Sequence, residues 1–315
     1  MNKPDLEKPI LELQPTYHHQ QKPPRFTRAQ KRAMLIGVGL GLIIAVTLLA
    51  WRPWQASKSP EPEQPVQQES VEAELVEEPE EEPEKIEVKA EFNAKKIDKT
   101  LDGWISSHSG VYAVTITDKN GKVLASSKSS RSFFAASIYK IFVAYEGYKK
   151  IDSGEWKLTD KYVGSWDRER CLHEMIYSSN SPCSEKMRAE IGATTIDKKL
   201  PSYGINDTSI AAVTTTSGDS AKMLARIYSG EGLSASSRKK YLESMKTQIY
   251  RKALPAGFVN QTVYDKVGFY EQKEYHDTAI VKYKDGRILI VSVLTENVGT
   301  TNIAGLGAAI ANVTK

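Results

Sequence analysis

Residues 33–51 carry no charged side chain and only one polar one, Thr47, and this run limits what the rest of the chain can fold into. It is close to the roughly 20 apolar residues needed to cross a hydrocarbon core. Residues 52–94 follow, rich in Glu and Pro, with Glu77-Glu78-Pro79-Glu80-Glu81-Glu82-Pro83-Glu84 at their centre. Such a segment holds too little apolar surface to offset its ordering entropy, and its like charges keep it extended. The apolar run is therefore expected as one transmembrane helix and the segment after it as a disordered linker. A packed core is left to residues 95–315, enough for one large domain built in two lobes.

The N-terminal flank sets the orientation. Residues 1–32 form a basic tail that ends in Arg25, Arg28, Lys31 and Arg32, so this end is expected in the cytoplasm and the bulk of the chain outside it. Trp51 and Trp54 suit the far membrane interface. No A-x-A site follows the run and the pre-sequence is long, which favours an uncleaved signal anchor in the cell membrane over a cleaved signal peptide. Gly37 and Gly41 read as helix flexibility rather than a dimer face, and a monomer is expected. The net charge of +4 sums segments of opposite bias, and no basic, aromatic-interleaved face suggests nucleic acid.

Within 95–315, helical spacing is expected over 97–107, a hairpin over 111–117 and 123–127, and helices around 171–177, 184–191, 220–228 and 238–246. Strands return at 262–270, 278–283 and 288–294, and a last helix covers about 302–312. Strands at both ends with helices between them suit an α/β arrangement. One antiparallel sheet would be flanked by terminal helices, with a helical lobe inserted after the first hairpin.

Ser137-Ile138-Tyr139-Lys140 opens an apolar, helix-patterned stretch at 141–148. Serine three residues before lysine places hydroxyl and amine on one helix face, which can make the hydroxyl a nucleophile. The spacing alone is weak, because Ser236…Lys239 and Ser237…Lys240 repeat it without an apolar helix behind them and read as a solvated helix start. Its companions follow in order: Tyr177-Ser178-Ser179-Asn180, then Asp265-Lys266-Val267-Gly268. Two other K-x-G triplets, at Lys119 and Lys284, read as hairpin turns with Asn-Gly and Asp-Gly.

With S-x-x-K, S-x-N and K-x-G in this order, residues 95–315 resemble the penicillin-recognising serine enzymes, the class A β-lactamases and the D,D-peptidases or penicillin-binding proteins. The resemblance implies a β-lactamase/transpeptidase-like fold and attack by Ser137 on an amide, with Lys140 taking its proton. Ser178 would relay a proton to the leaving nitrogen, and Asn180 would bind the substrate's side-chain amide. Lys266 would add positive potential. The N–H groups of Ser137 and Phe269 would form the oxyanion hole, with Gly268 leaving room for a substrate along the strand. Expected partners are a β-lactam or a peptidoglycan stem peptide. No cofactor is implied, and His18, His19, His108, His173 and His276 lack metal-ligand spacing. His276-Asp277 reads as the start of a strand rather than part of a triad with Ser137.

Three departures narrow the expectation. Val267 replaces the usual hydroxyl residue, Tyr275 or a neighbour stands where many class A enzymes carry an arginine, and the loop before Thr214 is short. Its residues 204–213 hold one acid, Asp207, where those enzymes carry a glutamate that activates the deacylating water. Slow hydrolysis of a β-lactam acyl-enzyme is expected. Two alternatives stand beside it: an efficient β-lactamase whose base is another acid, with Glu271 and Glu274 nearest in sequence, and a catalytically weak envelope-binding module. Cys171 and Cys183 are the only cysteines in an exported domain, and a disulfide or two buried free thiols remain open. Some class A enzymes have a cysteine at the Cys171 position, but the usual partner position is Ala144 here.

Overall fold

The computed structural model describes residues 91–271 and 273–315. The basic tail, the apolar run at 33–51 and nearly all of the linker lie outside them. Among the described residues no helix is long and apolar enough to cross a membrane.

The first half begins with helix α1 (Ala94–Ser107) and a hairpin of β1 (Val111–Asp118) and β2 (Val123–Ser127). A two-residue strand β3 (Phe133–Phe134) and a 3-10 turn (Ala136–Ile138) lead into α2 (Tyr139–Asp152). The lobe that follows holds β4 (Lys161–Val163), β5 (Trp166–Asp167), α3 (Arg168–Tyr177), α4 (Ser181–Ile191) and α5 (Ala193–Lys199). Next come β6 (Thr214–Thr215), α6 (Ser217–Ser229), α7 (Ala235–Lys246) and the short α8 (Leu254–Gly257). The chain closes with β7 (Thr262–Tyr270), β8 (Glu274–Lys282), β9 (Ile288–Glu296) and α9 (Thr300–Val313).

Polar side chains start the helices where the sequence supplies them. Asn93, Asp167, Asn180, Thr216 and Ser234 each accept a first-turn N–H, satisfying a donor that has no partner within the helix. The two K-x-G decoys are turns between β1 and β2 and between β8 and β9, with Gly121 and Gly286 at φ 81° and 84°.

Five strands form one antiparallel sheet in the order β2-β1-β9-β8-β7, which leaves β7 at an edge. Successive side chains alternate between its faces. Ile97 of α1, Ile303 of α9 and Val114, Ile116 and Val291 share the core on one face. Ile141, Phe142, Leu172, Met187 and Leu224 form the core of the inserted lobe, which covers the other. This is the α/β layout expected from the sequence. His276-Asp277 is the exception: β8 begins at Glu274, so the pair lies inside the strand, paired with Gly268 and Val267.

Cys171 and Cys183 are bonded to each other, with Cα atoms 5.2 Å apart. The bond joins α3 to α4 and so braces the loop between them.

Candidate active site

The Ser137 turn is held from two sides. The Ala135 N–H donates to Val213 O at 2.8 Å, while His276 Nε2 donates to Phe134 O at 2.9 Å. The other ring nitrogen of His276 accepts from Thr295 N at 3.1 Å, so this buried imidazole is neutral and serves the backbone. Burial pushes its pKa down, in keeping with that state. With Phe134 and Ala135 tied down, the chain turns within one residue, and Ala136 takes φ +43°. A left-handed backbone at a residue with a Cβ is strained, and strain of this kind collects at functional sites. Ser137 follows, half-buried at the middle of the 3-10 turn, with its hydroxyl free of partners among the described residues.

Gly268 of β7 lies directly against this turn. A Cβ added there would stand 3.0 Å from Ile138 Cγ1, 3.1 Å from Ala135 O and 3.2 Å from Ile138 N. The glycine is therefore required first by the packing of strand on turn, a reason nearer than the substrate clearance expected from the sequence.

Lys140 lies one helical turn on from Ser137 and is only 1 % exposed. Its Nζ donates to Ser179 O at 2.5 Å and to the hydroxyls of Ser179 and Ser181, both at 3.3 Å. Burial pulls its pKa down to about 8, and the Glu185 carboxylate pulls it back up. An appreciable neutral fraction near neutrality is what a proton acceptor needs.

Lys266, fully buried on β7, donates from Nζ to the same Ser179 Oγ at 3.0 Å and to Val267 O at 2.7 Å. Burial drives its pKa well down, and the charge of Lys140 adds to that, whereas Asp265 and Asp277 oppose it. Both acids project to the other face of the strands. Burial raises their own pKa values, Asp277 to about 7, and Asp265 Oδ1 is paired with Arg251 at 2.7 Å.

The Ser179 hydroxyl thus lies between two amines. An oxygen with two lone pairs can accept from both and keep its own proton available to a third group.

Here the sequence reading is corrected. Ser178 is the C-cap of α3, and its hydroxyl turns back to Glu174, donating to Oε2 at 2.7 Å. Asn180 caps α4, its Oδ1 accepting from Cys183 N at 2.9 Å. The motif is offset by one residue, Ser179-Asn180-Ser181, because Ser179 adopts φ +58° and redirects the chain between the two helices. The position assigned to a substrate-binding amide is therefore held by the Ser181 hydroxyl. The repeat of Ser in Ser178-Ser179 hid the offset, and the cap signature of Asn180 ahead of Pro182 was the signal that could have exposed it.

Glu185 was also missed. It lies on α4 one turn after Ser181, exposed, and its charge acts on both Lys140 and Tyr139. Asp207, the one acid of the short loop, lines a separate cavity with Thr117 and Lys222. Phe269 follows Gly268 on β7 with its ring half exposed. Among the described residues no three or more His, Cys, Asp or Glu side chains are placed to hold a metal ion.

Comparison with known proteins bears on the family and the fold. No curated protein sequence matches the chain. The solved structure of PBP-A superposes with TM-score 0.63 at 18% identity, over 69% of this chain and 94% of that one. The crystal structure of PenP from Rhodopseudomonas palustris gives TM-score 0.63 at 19% identity over 69% and 98%. A PBP-A variant in an acyl-enzyme complex with penicillin G gives 0.61 at 17% identity over 69% and 95%. These likenesses show the fold. Residues 94–314 match the family model described as the Beta-lactamase enzyme family. The chain belongs to that family and is a serine hydrolase with the class A β-lactamase fold.

Proposed function

We propose that this is a membrane-anchored, extracytoplasmic hydrolase whose Ser137 is acylated by a β-lactam or a D-Ala-D-Ala-type stem-peptide amide and is released slowly. The observation that carries the reading is the Ser179 hydroxyl held jointly by Lys266 and by Lys140, which lies one helical turn from Ser137. Neutral Lys140 takes the Ser137 proton as Oγ attacks the carbonyl. The N–H groups of Ser137 and Phe269 hold the oxyanion. As the C–N bond breaks, Ser179 gives its proton to the nitrogen and is resupplied from the lysines. The net step exchanges an amide for a Ser137 ester and a free amine. A penicillin G acyl-enzyme has been captured in the PBP-A variant of the same fold, which supports a β-lactam as one acylating agent.

Slow release follows from the short loop, whose one acid, Asp207, lines another cavity. A water must then find a base elsewhere, and Glu185 is the carboxylate whose charge reaches Lys140. That observation favours a second reading, an efficient β-lactamase with a relocated base. The anchor rests on the apolar run at 33–51 and its basic flank, and its test is sedimentation of the full chain with membranes, from which high salt should not release it.

Incubation of the full chain with a labelled penicillin tests the chemistry. A covalent adduct that persists, and disappears in Ser137→Ala, is the expected result. Rapid turnover without accumulation favours the second reading. No adduct under any condition removes the acyl-serine proposal altogether.

A further inference from the structure

We infer that a cavity behind the C-terminal half of β7 receives the substrate group attached to the leaving nitrogen, and that it is built for a bulky apolar group rather than an acidic one. The inference rests on the acyl-serine reading above. The cavity, about 350 Å³, is lined by Val267 and Phe269 of β7, Tyr275 of β8, and Ile249, Tyr250 and Ala253 of the segment joining α7 to α8. Gly268 lines it too and touches the Ser137 turn on its other side, so the cavity adjoins the site of attack.

Exposed apolar surface is concentrated here. Among the described residues seven large apolar side chains are exposed, and five of them, Phe134, Ile249, Tyr250, Phe269 and Tyr270, surround this end of β7. Tyr250 and Phe269 meet edge to face with centroids 5.5 Å apart, and Phe134 and Tyr270 lie 4.8 Å apart. Concentrated exposed apolar surface beside a reactive centre marks a ligand groove.

The guanidinium that lines the cavity is already committed. Arg251 spends its guanidinium on Asp265 at 2.7 Å, on Lys246 O at 3.0 Å and on Val263 O at 3.1 Å. Lys252 is exposed at the rim, where a carboxylate could remain in water beside it. On β7 the lining offers Val267 rather than a hydroxyl residue, and the hydroxyl-bearing residues around it are Tyr250, Tyr275 and Thr300. An acidic side chain would find only hydroxyls and the exposed Lys252, with no buried cation left to offset its desolvation, whereas an aliphatic or aromatic one gains by burial. The leaving half is assigned because Ser179 and Lys266, which hand over the proton, meet at the residue adjoining Val267.

The test uses peptide or depsipeptide substrates with one acyl half and a D-leucine, D-phenylalanine, D-alanine or D-glutamate leaving group, reading the rate of Ser137 acylation on the full chain. The leucine and phenylalanine compounds should react about tenfold or more faster than the alanine compound, with the glutamate compound slowest. Tyr250→Asp and, separately, Ile249→Asp should erase that preference, so that the leucine, phenylalanine and alanine compounds react at the same rate as one another. Equal rates, a preference for glutamate, or a preference that follows the acyl half overturns the assignment. If penicillin labels Ser137 while the preference is absent, this inference alone falls. If neither penicillin nor any of these compounds labels Ser137, the acyl-serine reading falls and takes the inference with it.

Discussion

Two segments place serine three residues ahead of lysine on a helix, and they end up in opposite environments. Lys140 is buried, with its amine directed at the Ser179–Ser181 loop, and burial lowers its pKa to about 8. Lys240 is partly exposed and forms an ion pair with Glu169. The serines differ as well. The Ser137 hydroxyl is free among the described residues, whereas the Ser237 hydroxyl donates to Asp152 Oδ1 at 2.6 Å. Spacing is the same in both places. What differs is burial of the amine and the presence of a second lysine that arrives from another part of the chain.

That comparison can be broken by substitution. Lys140→Ala should slow acylation by penicillin about 10²–10⁴-fold, the usual contribution of a positioned base, while Lys240→Ala leaves the rate near wild type. Equal effects of the two changes would erase the distinction. Next, Ser179→Ala should cost about 10²-fold in acylation, again within the range for proton transfer, and Ser178→Ala should cost little. The reverse order would restore the offset read from the sequence.

A smaller effect concerns pH. Because burial lowers the Lys140 pKa, the neutral base is depleted as pH falls below about 8, so acylation should decline about tenfold per pH unit on the acid side and level off above it. A profile flat from pH 6 to 9 would deny Lys140 that role. The smallest effect belongs to the decoy: Ser237→Ala should lower stability by about 1 kcal/mol through the lost bond to Asp152, read as a shift in the thermal midpoint, with acylation unchanged.

Much of the architecture was legible without coordinates. The bounds expected for β7, 262–270, coincide with the strand, because Val263, Val267 and their neighbours alternate between two buried faces. Helix starts were legible less well. The expected 184–191 begins at Ser181 and 220–228 at Ser217, since capped polar first turns do not carry the apolar period. The start of β8 was hidden by His276 and Asp277, whose polarity argues against a strand interior until their bonds to Phe134 O and Leu254 N are known.

At the site, Ser137, Lys140, Lys266 and Gly268 could be picked out because each belongs to a short motif with a local chemical reason. Ser179 and Glu185 could not. Choosing Ser179 over Ser178 depends on one left-handed residue between α3 and α4, and the relevance of Glu185 depends on how α4 lies against α2.

By itself the sequence determined the helix that follows Ser137, the order of the three motifs, the bounds of β7 and the apolar run that precedes them, since these follow from local pattern and composition. Tertiary structure decided which serine stands between the lysines, that Cys171 and Cys183 are joined, and that a cavity lined largely by apolar side chains adjoins the Ser137 turn. Those features depend on distances between segments far apart in the chain, and such distances are set only when the sheet and the lobe close on one another.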